Sequence, residues 1–374
     1  MRLKKQLCFL LLPVFFIGIF PMKARAAELS LSAYAAVLYC PETGEVLFEQ
    51  NASERLPMAS TTKIMTALLT LEEAERDDRP VVITREMMAE GSSMGLKPGD
   101  VLRLRELAKG MLLVSGNDAA NAAAISVGGS KEAFAERMNR RAKELGMRNT
   151  RFVTPSGLDD ENHYSTAMDM AKLAAAALEN RVFREICGSV SDEAVFLSPK
   201  KTVSLRNHNR LLQQYVGCIG VKTGFTKKAG RCLVSAAERD GVTLIAVTLN
   251  APDDWNDHRK LLDYGFSQMV KTLPEPAEKI VPVTGGTKKE VVVRGRAESP
   301  LLHRKDEAVT EEIELPRFLY APVPEGEAVG QVRYRIGGKT VLTVPLKAEH
   351  SVEAKEEQRS VWDRIGQWLL LLFT

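Results

Sequence analysis

Histidine and cysteine are both scarce, five of each in 374 residues. The histidines (His163, His208, His258, His303 and His350) are scattered, with no His-Glu-x-x-His run and no close ligand pairs, so no metal is implied. No cofactor-binding motif is evident either. Cys8 falls in an N-terminal apolar segment, and Cys40, Cys187, Cys218 and Cys232 lack the dense spacing of a small disulfide scaffold. No plausible Cys-His pair makes any of them a nucleophile, and buried thiols ordinarily pack as small apolar groups.

An unbroken apolar run long enough to span a bilayer is also missing. Leu7 to Phe20 is short and interrupted by Pro13, follows Arg2, Lys4 and Lys5, and leads to Ala24-Arg25-Ala26. Residues 1–26 therefore read as a secretory signal, with an uncleaved anchor as the alternative. Without Arg2, Lys4, Lys5, Lys23 and Arg25, the 51 basic residues become 46 against 48 acidic ones, and the formal charge moves from +3 to −2. The basic balance belongs to the leader, and no concentrated basic surface remains to suggest a nucleic-acid partner.

Three short motifs follow one another: Ser60-Thr61-Thr62-Lys63, Ser115-Gly116-Asn117 and Lys222-Thr223-Gly224. Pro57-Met58-Ala59 leads into the first and an apolar run from Ile64 to Leu71 follows it. Ser60 is thus expected on the first turn of a buried helix, with Lys63 on the same face. A serine hydroxyl needs a base within hydrogen-bond reach. Lys63 can be that base if burial beside another cation such as Lys222 keeps part of it neutral.

Ser115 and Asn117 follow Met111-Leu112-Leu113-Val114, with Gly116 allowing a tight loop that turns both side chains into one cleft. Ser115 can pass a proton to a leaving amine and Asn117 can bind a substrate amide. A polar cap for the following helix is the alternative. Lys222 and Thr223 are suited to a carboxylate, and Gly224 removes a side chain where substrate backbone would approach the sheet edge.

Together with Ala59 to Thr66, Ser115 to Ala120 and Gly220 to Thr226, these motifs resemble penicillin-binding proteins and class A β-lactamases. Leu145 to Thr150 and Asn162 to Ala167 look typical of the low-molecular-weight D-alanyl-D-alanine carboxypeptidases. The resemblance implies a β-lactamase/transpeptidase-like domain over 27–272, peptidoglycan stem peptides as substrates and β-lactams as inhibitors. It also implies Arg210 as a second carboxylate ligand and the amides of Ser60 and Phe225 as the oxyanion hole. Against a class A β-lactamase stand Gly116 in the second motif, the extra β segment, and the lack of a glutamate in a matching motif. A noncatalytic wall-binding protein is at odds with the intact Ser60, Lys63 and Lys222.

The elements read as α+β. A hairpin over Ala33–Phe48 turns at Pro41 to Gly44. Helices are expected at Leu104–Leu113, Asp118–Ile125, Lys131–Leu145 and Thr166–Leu178, strands at Ile219–Thr226, Cys232–Ala237 and Val242–Leu249, and a closing helix at Asp257–Val270. The outer strands should form an antiparallel sheet with first and last segments paired. Pro274-Glu275-Pro276 marks a linker to a small β domain, 277–349, with Gly337-Gly338 as a turn. In 351–374, Val361, Trp362, Ile365, Trp368, Leu369, Leu372 and Phe373 fall at helical spacing. That pattern predicts an amphipathic helix lying on the outer face of the bacterial cytoplasmic membrane; a terminal helix packed on the protein is the alternative.

Overall fold

The computed structural model describes residues 29–356. β1 (Ala35–Cys40) and β2 (Glu45–Gln50) form the expected hairpin. A 3-10 turn, Ala59–Thr62, runs directly into α1 (Lys63–Arg76). Ser60 therefore sits on the tight turn before the helix, and Lys63 opens the helix itself. α1 has no exposed stripe in its first half: Lys63 through Leu71 are all buried, as for a helix enclosed on every side.

Two short strands, β3 (Pro80–Val82) and β4 (Val101–Arg103), precede α2 (Leu104–Leu113). α3 (Asn117–Gly128), α4 (Lys131–Glu144), α5 (Ala167–Glu179) and α6 (Arg181–Gly188) complete the helical cluster. Side-chain caps start three of these helices: Ser130, Thr166 and Asn180 accept from Ala133, Asp169 and Phe183 amides at 3.1, 3.0 and 2.9 Å.

β5 (Ser191–Ser198), β6 (Lys201–Arg206) and the short α7 (Leu211–Gln214) follow. Next come β7 (Cys218–Thr226), β8 (Gly230–Arg239), β9 (Val242–Leu249) and α8 (Asp254–Gln268). The main sheet is antiparallel in the order β2-β1-β9-β8-β7. Its first and last chain segments pair as expected, Ala35 opposite Leu249 and Tyr39 opposite Ile245. β9 is buried along its whole length. β7 is the outer strand, and its Gly224 approaches the turn that carries Ser60.

Three features depart from the sequence reading. A second sheet, β3-β4-β5-β6, was not anticipated. The β5–β6 pairing puts Ala194, Phe196 and Leu205 inward while Val195 and Leu197 stay exposed, a two-residue period that the surrounding polar residues obscure. The closing helix begins at Asp254 rather than Asp257 and ends at Gln268. The expected last turn is instead β10 (Met269–Thr272), because pairing with a later strand overrides local helical spacing.

The third departure is in the tail. Residues 351–356 are extended, with Val352 bridging Val323 and Ala354 bridging Gly286, so no helix begins at Ser351. Val352 is 1% exposed and belongs to the β-domain core. The remainder of that expected helix and the expected signal lie outside the described residues.

Beyond β10 the chain is all β: β11 (Ala277–Thr284), β12 (Glu290–Gly295), β13 (Leu301–Arg304), β14 (Thr310–Glu314), β15 (Leu319–Tyr320), β16 (Ala328–Ile336) and β17 (Lys339–Ala348). Six of these form one sheet, β14-β16-β17-β12-β11-β15, while β13 pairs with β10. Val281, Val291, Val293, Val332, Tyr334 and Leu346 fill a core separate from that of the helical cluster. Among the described residues no helix is long and apolar enough to cross a membrane. Cys40, Cys187, Cys218 and Cys232 are free thiols.

Candidate active site

Ser60, Lys63, Ser115, Asn117, Lys222 and Thr223 come from three distant segments and meet at one cleft. The Lys63 side chain is fully buried, and its Nζ has three neighbours: Ser60 Oγ at 2.9 Å, Asn117 Oδ1 at 2.7 Å and the Ser156 carbonyl oxygen at 2.6 Å. The last two can only accept, so they fix two N–H directions. The remaining tetrahedral position of Nζ faces Ser60 Oγ, where a neutral amine presents its lone pair to the serine proton. Burial, and then the charge of Lys222, hold Lys63 well below the usual lysine value, against an opposite pull from Asp118.

Lys222 is 1% exposed and, among the described residues, donates only to the Thr223 carbonyl oxygen, at 2.9 Å. Burial pushes it down from 10.5 to about 7. Its charged form has little compensation for burial, and an anion in the cleft would supply it. His208, on the cleft wall, is lowered by burial and by Lys222.

The backbone brings β7 against the turn that carries Ser60. A Cβ at Gly224 would meet the Met58 carbonyl oxygen and the Ser60 and Thr61 amide nitrogens at 3.1 Å each. A side chain there would push β7 away from the Ser60 amide, which explains the glycine. Ser115 has a left-handed backbone, φ 60°, and is almost buried at the cleft wall. Its hydroxyl does not bond to Lys63 here; Asn117 takes that place, while its own amide nitrogen donates to the Glu90 carbonyl oxygen at 2.7 Å.

Three supporting contacts were not foreseen from the motifs. The Asp118 carboxylate accepts from Ser93 Oγ at 2.5 Å and from the Met94 and Leu96 amides at 3.0 and 3.1 Å, pinning the 92–96 loop beneath the second motif. The loop carrying Ser156 lies on the catalytic turn itself. Gly157 has φ 82°, and a Cβ there would come within 2.0 Å of the Ala59 carbonyl oxygen, so no larger residue fits without displacing Ser60 or Ser156.

His163 ties the same two segments together. Its Nδ1 accepts from the Val153 and Thr154 amides at 2.9 and 3.3 Å, so Nε2 carries the proton and donates to Thr62 Oγ1 at 2.8 Å. Thr62 in turn donates to the Ala59 carbonyl oxygen at 2.8 Å. Burial lowers His163 to about 4, which keeps it neutral in this arrangement. Pro155-Ser156-Gly157 is a recognisable turn sequence, but nothing in it announces that a carbonyl will serve a lysine 93 residues away.

Residues 22–253 match the D-alanyl-D-alanine carboxypeptidase family, peptidase S11, and residues 271–354 match the C-terminal domain of penicillin-binding protein 5. The chain belongs to the D-alanyl-D-alanine carboxypeptidase family. It is 35% identical over 359 residues to D-alanyl-D-alanine carboxypeptidase DacF of Bacillus subtilis, covering 92% of each chain. Against D-alanyl-D-alanine carboxypeptidase DacC of Escherichia coli it is 35% identical over 384 residues, covering 94% of each. Among solved structures, DacD of Francisella tularensis superposes with a TM-score of 0.63 at 28% identity, over 88% of this chain and 96% of that one. The Streptomyces K15 DD-transpeptidase matches with a TM-score of 0.61 at 33% identity, over 64% and 98%.

In this carboxypeptidase the cleft encloses about 780 Å³. Ser60, Ser115, Thr223, Gly224 and Phe225 line it, with Arg210 on the same wall. Arg210 is exposed at the start of α7 and its guanidinium makes no hydrogen bond among the described residues. Arg231, Asp254 and Trp255, none of them marked by a motif, also line the cleft.

Proposed function

We propose that this carboxypeptidase removes the terminal D-alanine from peptidoglycan stem pentapeptides through an acyl-enzyme on Ser60. The observation that carries the assignment is the buried Lys63 amine, 2.9 Å from Ser60 Oγ, with its two other neighbours restricted to accepting. Neutral Lys63 takes the hydroxyl proton as Oγ attacks the carbonyl carbon of the penultimate D-alanine. The Ser60 and Phe225 amides receive the developing oxyanion. Ser115 relays the proton to the leaving nitrogen, the amide bond breaks and D-alanine departs. Water then attacks the ester, Lys63 accepts its proton, and Oγ is released as the hydroxyl.

Asn117 binds the amide of the acyl segment. Lys222 and Thr223 hold the terminal carboxylate, an anion that penicillin also presents. Export places these groups at the outer face of the cytoplasmic membrane, and the segment from Val361 to Phe373 holds the enzyme there as an in-plane amphipathic helix.

The test is D-alanine release from a pentapeptide, paired with labelling by penicillin. Ser60→Ala should abolish both while the protein keeps its native melting profile. Mass spectrometry finding the penicilloyl group on another serine would overturn the assignment.

A further inference from the structure

The outer face of the β domain carries an apolar patch beside the point where the described chain ends. In β11, Val281 and Val283 turn into the core, so Ile280 and Pro282 face outward. β15 lies parallel to β11, with Leu319 beside Val283 and Tyr320 beside Thr284. Leu319 packs on the same core, which leaves Phe318 and Tyr320 on the outer face with Ile280 and Pro282. The two rings meet edge to face, their centroids 5.2 Å apart. Ile280, Phe318 and Tyr320 are nevertheless 61%, 46% and 71% exposed. Single exposed apolar side chains are ordinary, but four on one face with a paired aromatic couple mark a contact surface.

The course of the chain indicates what covers this patch. The Lys355 amide donates to the Gly285 carbonyl oxygen at 2.8 Å, and Ala354 bridges Gly286. On the other side, the Ala321 amide donates to the Thr284 carbonyl oxygen at 3.0 Å. Thr284 and Gly285 are consecutive, so residue 356 leaves the β domain next to the aromatic pair. Residues 357–374 follow, and with them the apolar positions from Val361 to Phe373 of the proposed membrane anchor. An anchor that starts there brings the patch to the lipid headgroups. At that depth the rings can meet the acyl boundary while the tyrosine hydroxyl stays in water. Lys288, Lys289, Arg317 and Lys355 are exposed around the patch. Glu290, Glu353 and Glu356 offset most of that charge, so the attraction to lipid is apolar rather than electrostatic.

We propose that Phe318 and Tyr320, flanked by Ile280 and Pro282, form a second membrane contact that seats the β domain itself on the lipid interface. Two contacts restrict the swing of the catalytic cleft about the tail, which one anchor would leave free. The patch is too small to hold the enzyme without the tail. The proposal rests on the reading of Val361 to Phe373 as a membrane segment.

The test uses the mature chain, residues 27–374, and vesicles of phosphatidylethanolamine with phosphatidylglycerol. Phe318→Ser combined with Tyr320→Ser should weaken vesicle binding about tenfold, since two half-inserted rings together match about one fully buried apolar side chain. The loss should be equal at low and high salt. Melting temperature and D-alanine release from a soluble tripeptide should stay as in the parent. Phe318→Trp with Tyr320→Trp should bind at least as tightly as the parent. Val195→Ser with Leu197→Ser, which removes exposed apolar groups of β5 instead, should bind as the parent does. Unchanged vesicle binding in the serine variant, or a loss confined to low salt, would overturn the proposal. So would a serine variant that melts lower without vesicles in the full mature chain but not in a chain ending at Glu356, because the tail would then be covering the patch. If the parent does not bind vesicles, the tail reading fails first and takes this contact with it.

Discussion

Replacing Lys222 by methionine should make the protein more stable while removing its activity. The lysine is 1% exposed, bonds only to the Thr223 carbonyl oxygen among the described residues, and has its pKa lowered from 10.5 to about 7 by burial. That displacement corresponds to about 5 kcal/mol at 1.36 kcal/mol per tenfold change. At pH 7 about 4 kcal/mol of it applies, and loss of the Thr223 hydrogen bond offsets about 1 kcal/mol.

Lys222→Met is nearly isosteric, so a gain of about 3 kcal/mol is expected, or roughly 6–12 °C in Tm for a domain of this size. The pH dependence has a definite sign. The folded pKa lies below the unfolded one, so the penalty is complete below about pH 7 and vanishes as pH rises through 10.5. The difference in Tm between variant and parent should therefore fall to about a third at pH 9. Calorimetry at pH 7 and 9, beside penicillin labelling, is the assay. A variant that melts at or below the parent at pH 7, or a gap that does not narrow by pH 9, would refute the reasoning.

Two further outcomes are expected. Penicillin should acylate Ser60 quickly and leave slowly, because no glutamate stands in a deacylation motif to position water; penicillin turnover as fast as peptide turnover would favour a β-lactamase. Ending the chain after Glu356 should release the enzyme from membranes with peptide hydrolysis retained, whereas ending it before Val352 should also destabilise the β domain by about 1–3 kcal/mol, since Val352 is buried in its core. Sedimentation of the Glu356-ended protein with membranes would place the anchor elsewhere.

The proposed catalytic groups were legible because their chemistry is written in side chains at short spacing: Ser60 with Lys63, Ser115 with Asn117, Lys222 with Thr223. The long helices and the β7–β9 strands were legible because their apolar periods are strong, and Leu104–Leu113 was read to the residue. The rest was hidden for separate physical reasons. The Ser156 carbonyl is backbone, so residue type carries no sign of its role. Arg231 and Asp254 are 23 positions apart and reach the cleft together only when β8 and α8 meet. The tail reading started too early because residues 351–356 join the β domain through bridges to Val323 and Gly286, contacts invisible to helical spacing.

The pairing of β1 with β9 has a consequence for how activity arises. Ala35 waits for Leu249, 214 positions later, before the middle of the main sheet can close. Until then the β7–β8–β9 meander, joined by its own hairpins, has no neighbour on the inner side of β9. Closing a loop of that length is slow compared with forming the local helices. During synthesis, α1 through α6 can therefore exist as helices before β7 meets the turn bearing Ser60. The cleft between β7 and the turn bearing Ser60 is therefore expected to form only once the last strand of the main sheet is in place.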